Sequence, residues 1–133
     1  MSEAEDNKKL VRRFVGAMEA GDVETIEALQ APDCTWWILG TGEISRKAYT
    51  DAVKGMLLSA QSRKVEIIGM VAEGPAVAAE VRSEMHFGDR VYANEYHDLF
   101  VIRDGQIIYG REYFDNVKVA AFFGPQGEQD GRP

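Results

Sequence analysis

Apolar positions recur at helical spacing through the first part of the chain and change to alternation in the second. Leu10, Val11, Phe14, Val15 and Met18 fall on one helical stripe. Ser2 and Glu5 stand as a capping box ahead of it and Gly21 follows it, which predicts a helix over about Glu3 to Ala20. Asp22 is placed to cap a short second helix with Val23, Ile26 and Leu29 facing inward, ended near Ala31-Pro32 by the proline. The segment 33–39, DCTWWIL, predicts a strand with Trp36 and Ile38 on one face and Thr35 and Trp37 on the other. Gly40 to Glu43 reads as a loop. Ser45 then caps a third helix whose apolar face is Ala48, Tyr49, Ala52, Val53, Met56 and Leu57.

After Gln61 the pattern is β throughout: Lys64 to Ala72, Pro75 to Phe87, a strand from Tyr92, and a strand from Gln106 to Asp115, with turn signals at Glu73-Gly74-Pro75, Gly88-Asp89 and Asp104-Gly105. Consecutive strands with short turns make an antiparallel meander. The order predicts an α+β fold with helices on one face of a curved sheet. Val117 to Phe123 is a short helix or an extra strand. One domain over 1–123 is expected, with 124–133, GPQGEQDGRP, as a disordered tail.

The hairpin from Tyr92 to Asp115 carries the candidate chemistry. Tyr92, Asn94, Tyr96, Asp98 and Phe100 alternate along its first strand and so share a face. An aromatic row holding an amide and an acid suits a cavity better than a plain core or a solvated surface. The facing strand adds Glu112 and Phe114. A two-residue type I′ turn sets His97 opposite Glu112, whereas a three-residue loop, Arg103-Asp104-Gly105, sets Tyr96 there. Both turns suit these residues.

A net charge of −7 argues against nucleic acid or an anionic membrane as partner. The apolar fraction of 45% and charged fraction of 28% are those of a globular protein. Cys34 is the only cysteine, so no intrachain disulfide forms. With no apolar run of membrane length and no secretory pattern at the N-terminus, the expected location is the cytoplasm. His86 and His97 have no ligand spacing, and no metal or other cofactor is expected. No phosphate loop, dinucleotide fingerprint or nucleophile elbow is present.

The stretch NEYHDLFVIRDGQIIYGREYFD, with LVRRFVGAMEAGDVETIEAL and Asp33 ahead of the first strand, resembles the SnoaL-like branch of the nuclear transport factor 2-like, or ketosteroid isomerase-like, superfamily. The resemblance spans about residues 8 to 118. It implies a conical α+β barrel, in which a curved, mixed and mainly antiparallel sheet wraps on three N-terminal helices around one deep apolar cavity, in a homodimer. Against the ketosteroid isomerases of that superfamily, Phe14 stands where their oxyanion-binding tyrosine falls and Ile38 where their proton-transferring carboxylate falls; only Asp98 matches, at their second acid. Against the limonene epoxide hydrolase-like branch, Glu112 matches the last-strand acid without a gap, which favours the three-residue loop. Trp36 and Ile38 replace that branch's Tyr and Asn. Arg82-Ser83-Glu84 imitates its Arg-x-Asp only if the Gly88-Asp89 hairpin has an odd-length loop.

These readings lead to a cofactor-independent acid-base enzyme, an isomerase, cyclase or lyase, acting on a hydrophobic cyclic or aromatic small molecule. Glu112 would be the base, Asp98 the acid, and Tyr96 and Asn94 donors to a substrate oxygen. Trp36, Ile38, Phe14, Met56 and Phe114 would line the cavity. His97 is the rival base if it faces inward. The alternatives are a module that only binds such a molecule, and an epoxide hydrolase-like enzyme that needs Arg82 beside Glu112.

Overall fold

A computed structural model describes residues 2–124. Its elements, in chain order, are α1 (Glu3–Ala20), α2 (Val23–Ala28), β1 (Gln30–Ile38), β2 (Gly42–Ser45), α3 (Arg46–Ser59), β3 (Ser62–Glu73), β4 (Ala76–Phe87), β5 (Arg90–Arg103), β6 (Gln106–Phe114) and α4 (Asn116–Phe123). The α+β expectation holds: one six-stranded sheet, in the order β2-β1-β6-β5-β4-β3, carries the helices. Only β1 with β6 is parallel; every other neighbouring pair is antiparallel. The sheet is open at β2 and β3, α1 packs on β3 and β4, and α3 packs on β1.

The helix ends follow their capping residues. Ser2 Oγ accepts from the Glu5 backbone N–H, and Gly21 closes α1 in the left-handed conformation that glycine adopts freely. Asp22 and Ser45 cap α2 and α3 as their side chains predict. The second helix is shorter than expected, because the chain turns extended at Gln30 and Pro32 falls inside β1. With no N–H to give, Pro32 sits where the β1–β6 register shifts, between Gln30 and Thr35. The expected loop at Gly40 to Glu43 contains the start of β2, which pairs with β1 from Ile38↔Gly42 to Thr35↔Ser45. The tail segment resolves as the helix α4, capped by Asp115. Of the tail expected to be disordered, 124–133, all but Gly124 lies outside the described residues.

Two hairpins decide what faces the core. At Asp104-Gly105 both residues have positive φ, 52° and 74°, as a type I′ turn requires, and Arg103 pairs with Gln106. The expected three-residue loop is therefore absent. The ladder then shifts between Ile102↔Ile107 and Val101↔Tyr109, leaving Ile108 unpaired as a bulge. That extra residue restores the parity a two-residue turn would have reversed, and Asp98, rather than Tyr96 or His97, stands opposite Glu112. At Gly88-Asp89 the loop has two residues, since Phe87 pairs with Arg90. Val81, Ser83 and Met85 consequently face inward, and Arg82 faces out toward Glu66 and Glu95.

The core lies between this inner face and the helices. At its centre Trp36 is fully buried, stacked on Tyr49 with ring centroids 4.0 Å apart and on Phe14 at 6.0 Å. Its indole N–H donates to Gln30 Oε1 at 2.9 Å, and Gln30 Nε2 in turn donates to Ile26 O and Thr50 Oγ1. Gly110 on β6 lies flat beneath the indole, where a Cβ would overlap Trp36 Cε3 and Cζ3.

Candidate active site

The inner sheet face and the helices enclose a cavity of about 850 Å³. Its walls are mostly apolar: Phe14, Val15 and Met18 from α1, Ile38 and Ile44 from β1 and β2, Ala52, Val53 and Met56 from α3, and Phe114, Val119 and Phe123 from the C-terminal end. Of the polar residues, Ser83, Tyr92, Tyr96, Asp98 and Glu112 cluster on β4, β5 and β6 and Tyr49 reaches in from α3, while Thr41, Asp51 and Ser59 complete the lining. An apolar chamber with a few convergent polar groups is the usual form of a small-molecule site.

Asp98 and Glu112 are directly opposed in the β5–β6 ladder, which puts their Cβ atoms about 5 Å apart. Asp98 is 9% exposed and its Oδ1 is buried without a hydrogen-bond partner among the described residues. Burial first, and the Glu112 charge second, raise the Asp98 carboxyl well above the usual range. Burial pushes Glu112 up to about 7. Two carboxyls this close in an apolar chamber do not both ionise near neutrality. Glu112, the more accessible of the two, loses its proton first, and Asp98 keeps its own. The pair thus presents a carboxylate beside a carboxylic acid.

The structure brings most of the expected site residues together and moves two away. Phe14, Ile38, Met56, Phe114, Tyr96, Asp98 and Glu112 all reach the cavity. Trp36 does not: it lies behind Tyr49 and Phe14, so the flat aromatic wall is Tyr49, with the indole as its backing. Asn94 is 1% exposed and its amide is used within the fold. Its Nδ2 donates to Tyr92 Oη and to Asp115 O, and its Oδ1 accepts from the Glu95 and Asp115 backbone N–H groups. Asn94 ties the end of β6 and the cap of α4 to β5, and holds no donor for a substrate oxygen.

His97 is exposed on the outer face, paired with Glu80 and Tyr113, so the rival base has no access to the cavity. His86 is at the hairpin end, 3.0 Å from Glu84. Arg82, on the outer face, leaves Glu112 without the cation that the epoxide hydrolase-like constellation needs. Cys34 is buried, and burial pushes its thiol up to about 11. Among the described residues no three His, Cys, Asp or Glu side chains come together as a metal site, and no described helix is long and apolar enough to cross a membrane.

Two cavity residues have no clear signal in the sequence. Tyr49 shows there only as one member of the apolar face of α3; in the cavity burial first, then the neighbouring Glu112 and Asp98 carboxyls, hold the proton of its hydroxyl on strongly. Ser83 faces inward or outward according to the length of the Gly88-Asp89 loop, which the sequence leaves open.

Among solved structures the fold is similar to PrhC from Penicillium brasilianum, at a TM-score of 0.82 and 20% identity over 98% of this chain and 97% of that one. It is similar to an LEH-like epoxide hydrolase of M. tuberculosis, at 0.77 and 22% over 91% and 98%. It is also similar to IdmH from Streptomyces antibioticus, to which polyketide cyclase activity is ascribed, at 0.76 and 19% over 90% and 99%. Such identities establish the architecture and leave the chemistry to the residues. No protein of curated function matches the chain. The model of the SnoaL-like domain matches residues 11–110, a span that includes Asp98 and stops just short of Glu112. Three quarters of the chain fit that model and the sheet order and cavity accord with it: the protein belongs to the SnoaL-like domain family.

Proposed function

We propose that the protein is a cofactor-independent acid-base enzyme acting on a hydrophobic cyclic small molecule, by proton abstraction next to a carbonyl. The observation that carries this reading is the opposed Asp98–Glu112 pair in a mostly apolar chamber. Glu112, as carboxylate, takes a proton from the carbon beside the carbonyl, and its electron pair moves into the C–C bond to give an enol. Asp98, as carboxylic acid, donates to the carbonyl oxygen as charge develops there. Return of the proton at another carbon gives isomerisation, attack of the enol on an internal electrophile gives cyclisation, and loss of a leaving group gives elimination. The Tyr49 ring, fixed by its stack on Trp36, supplies a flat surface for the substrate ring. Self-association through the outer sheet face belongs to the same proposal; there Arg111 lies 4.1 Å over Trp37 and the partly exposed Tyr113 ring stands beside it.

The test uses a generic carbon acid, the bicyclic ketone 2-tetralone, in D2O. The protein should accelerate deuterium incorporation beside the carbonyl. The rate should rise as pH increases through about 7, where Glu112 loses its proton, and fall again at higher pH when Asp98 ionises. That sign follows because the active form needs Glu112 deprotonated and Asp98 protonated. No acceleration with 2-tetralone and related cyclic ketones at any pH would leave binding without turnover as the better reading.

A further inference from the structure

Beyond the carboxyl pair, the cavity is lined by hydroxyl-bearing residues that together carry more protons than the bonds among them consume. Tyr92 Oη and Tyr96 Oη are 2.9 Å apart, and Asn94 Nδ2 donates to Tyr92 Oη at 2.7 Å. Two phenols carry two protons and the bond between them consumes one. Whichever phenol donates, the other keeps a proton to give. Ser83, 3% exposed, stands beside the Tyr96 hydroxyl, yet its Oγ has no hydrogen-bond partner of good geometry among the described residues. All three residues line the cavity. A buried hydroxyl left unpaired is destabilising, so it persists in a fold when something outside the fold satisfies it.

Position and charge narrow what that something is. Ser83 pairs with Asn94, and Asn94 lies four residues from Asp98 along β5; at the rise of an extended strand the two rows are roughly 13 Å apart. Among the described residues no Lys or Arg lines the cavity, so a carboxylate or phosphate would enter without a counter-charge from them. Neutral donors facing an apolar chamber suit a carbonyl or hydroxyl oxygen.

We infer that Ser83, Tyr92 and Tyr96 form a second recognition site, taking a neutral oxygen on the far ring of an elongated polycyclic ligand whose near ring sits at Asp98 and Glu112. The inference rests on the acid-base reading for the placement of the near ring, and it deepens that reading by requiring two oxygen functions on opposite ends of the ligand.

The test compares two rigid probes, anthracen-2-ol and anthracene-2,6-diol, by fluorescence titration. Wild type should bind the diol about tenfold more tightly, the effect of one well-made buried hydrogen bond. Ser83→Ala should bring that ratio to about twofold or less while its melting temperature stays level or rises, because the change removes an unpaired buried group. A purely structural serine would show the opposite, a lower melting temperature with the ratio kept. That result, equal affinity for the two probes, or no binding of either, overturns the inference. The ratio should persist in Glu112→Gln. A protein that exchanges 2-tetralone without preferring the diol loses this site and keeps its base; one that prefers the diol and never exchanges loses the base and keeps this site.

Discussion

Glu112→Gln is expected to lower the exchange rate with 2-tetralone, and turnover of any true substrate, by about 10³-fold, within the usual contribution of a positioned general base. The amide keeps the shape of the carboxyl, so the apolar walls and the opposed Asp98 stay in place. What disappears is the group that accepts a proton near neutrality. The same substitution has a second, opposite effect. Burial raises the Glu112 pKa above its unfolded value, so its contribution to stability is full below about pH 4 to 5 and is lost as pH rises to about 7. Glutamine has no charge to bury, and the variant should melt at or above wild type at pH 8. A large loss of activity with no loss of stability marks a residue held for chemistry. Exchange within twofold of wild type would remove Glu112 from the mechanism.

Gly110→Ala carries the largest expected cost to the fold. The added methyl would occupy the space of the Trp36 six-membered ring, and the indole has nowhere to go. It is stacked on Tyr49 and Phe14, edge-on to Phe100, and tied through its N–H to Gln30. Overpacking at so constrained a site should cost about 3 kcal/mol or more, a fall of roughly 10 °C in melting temperature for a domain of this size. Because Tyr49 lies on the indole, the cavity wall would shift with it. Trp36→Phe in the Gly110→Ala background frees space for the methyl, so the double variant should be less destabilised than the sum of the two changes. A Gly110→Ala protein within 1 kcal/mol of wild type would show that Trp36 does not fix this wall.

Much of this was legible along the chain where local chemistry decides the outcome. Ser2 and Gly21 bound α1, Ser45 begins α3, and the alternation of β5 places Tyr92, Tyr96 and Asp98 on one face. Features set by distant partners were not. Nothing near Ile108 announces a bulge, yet that bulge is what lets a two-residue turn leave Glu112 on the Asp98 side. Trp36 reads as a cavity wall until Gly110 and Tyr49, from β6 and α3, are seen to enclose it. Asn94 reads as a free donor until the start of α4 takes up its amide. Pro32 reads as a helix stop, and the ladder absorbs it instead through a register shift.

A carboxylate beside a carboxylic acid in one apolar chamber should be visible in a site-resolved carbon-13 titration of the two carboxyls, assigned with Glu112→Gln and Asp98→Asn. One signal should titrate near pH 7 and vanish in Glu112→Gln, with the Asp98 carboxyl still protonated at that pH. Both carboxyls fully ionised by pH 5 would contradict it.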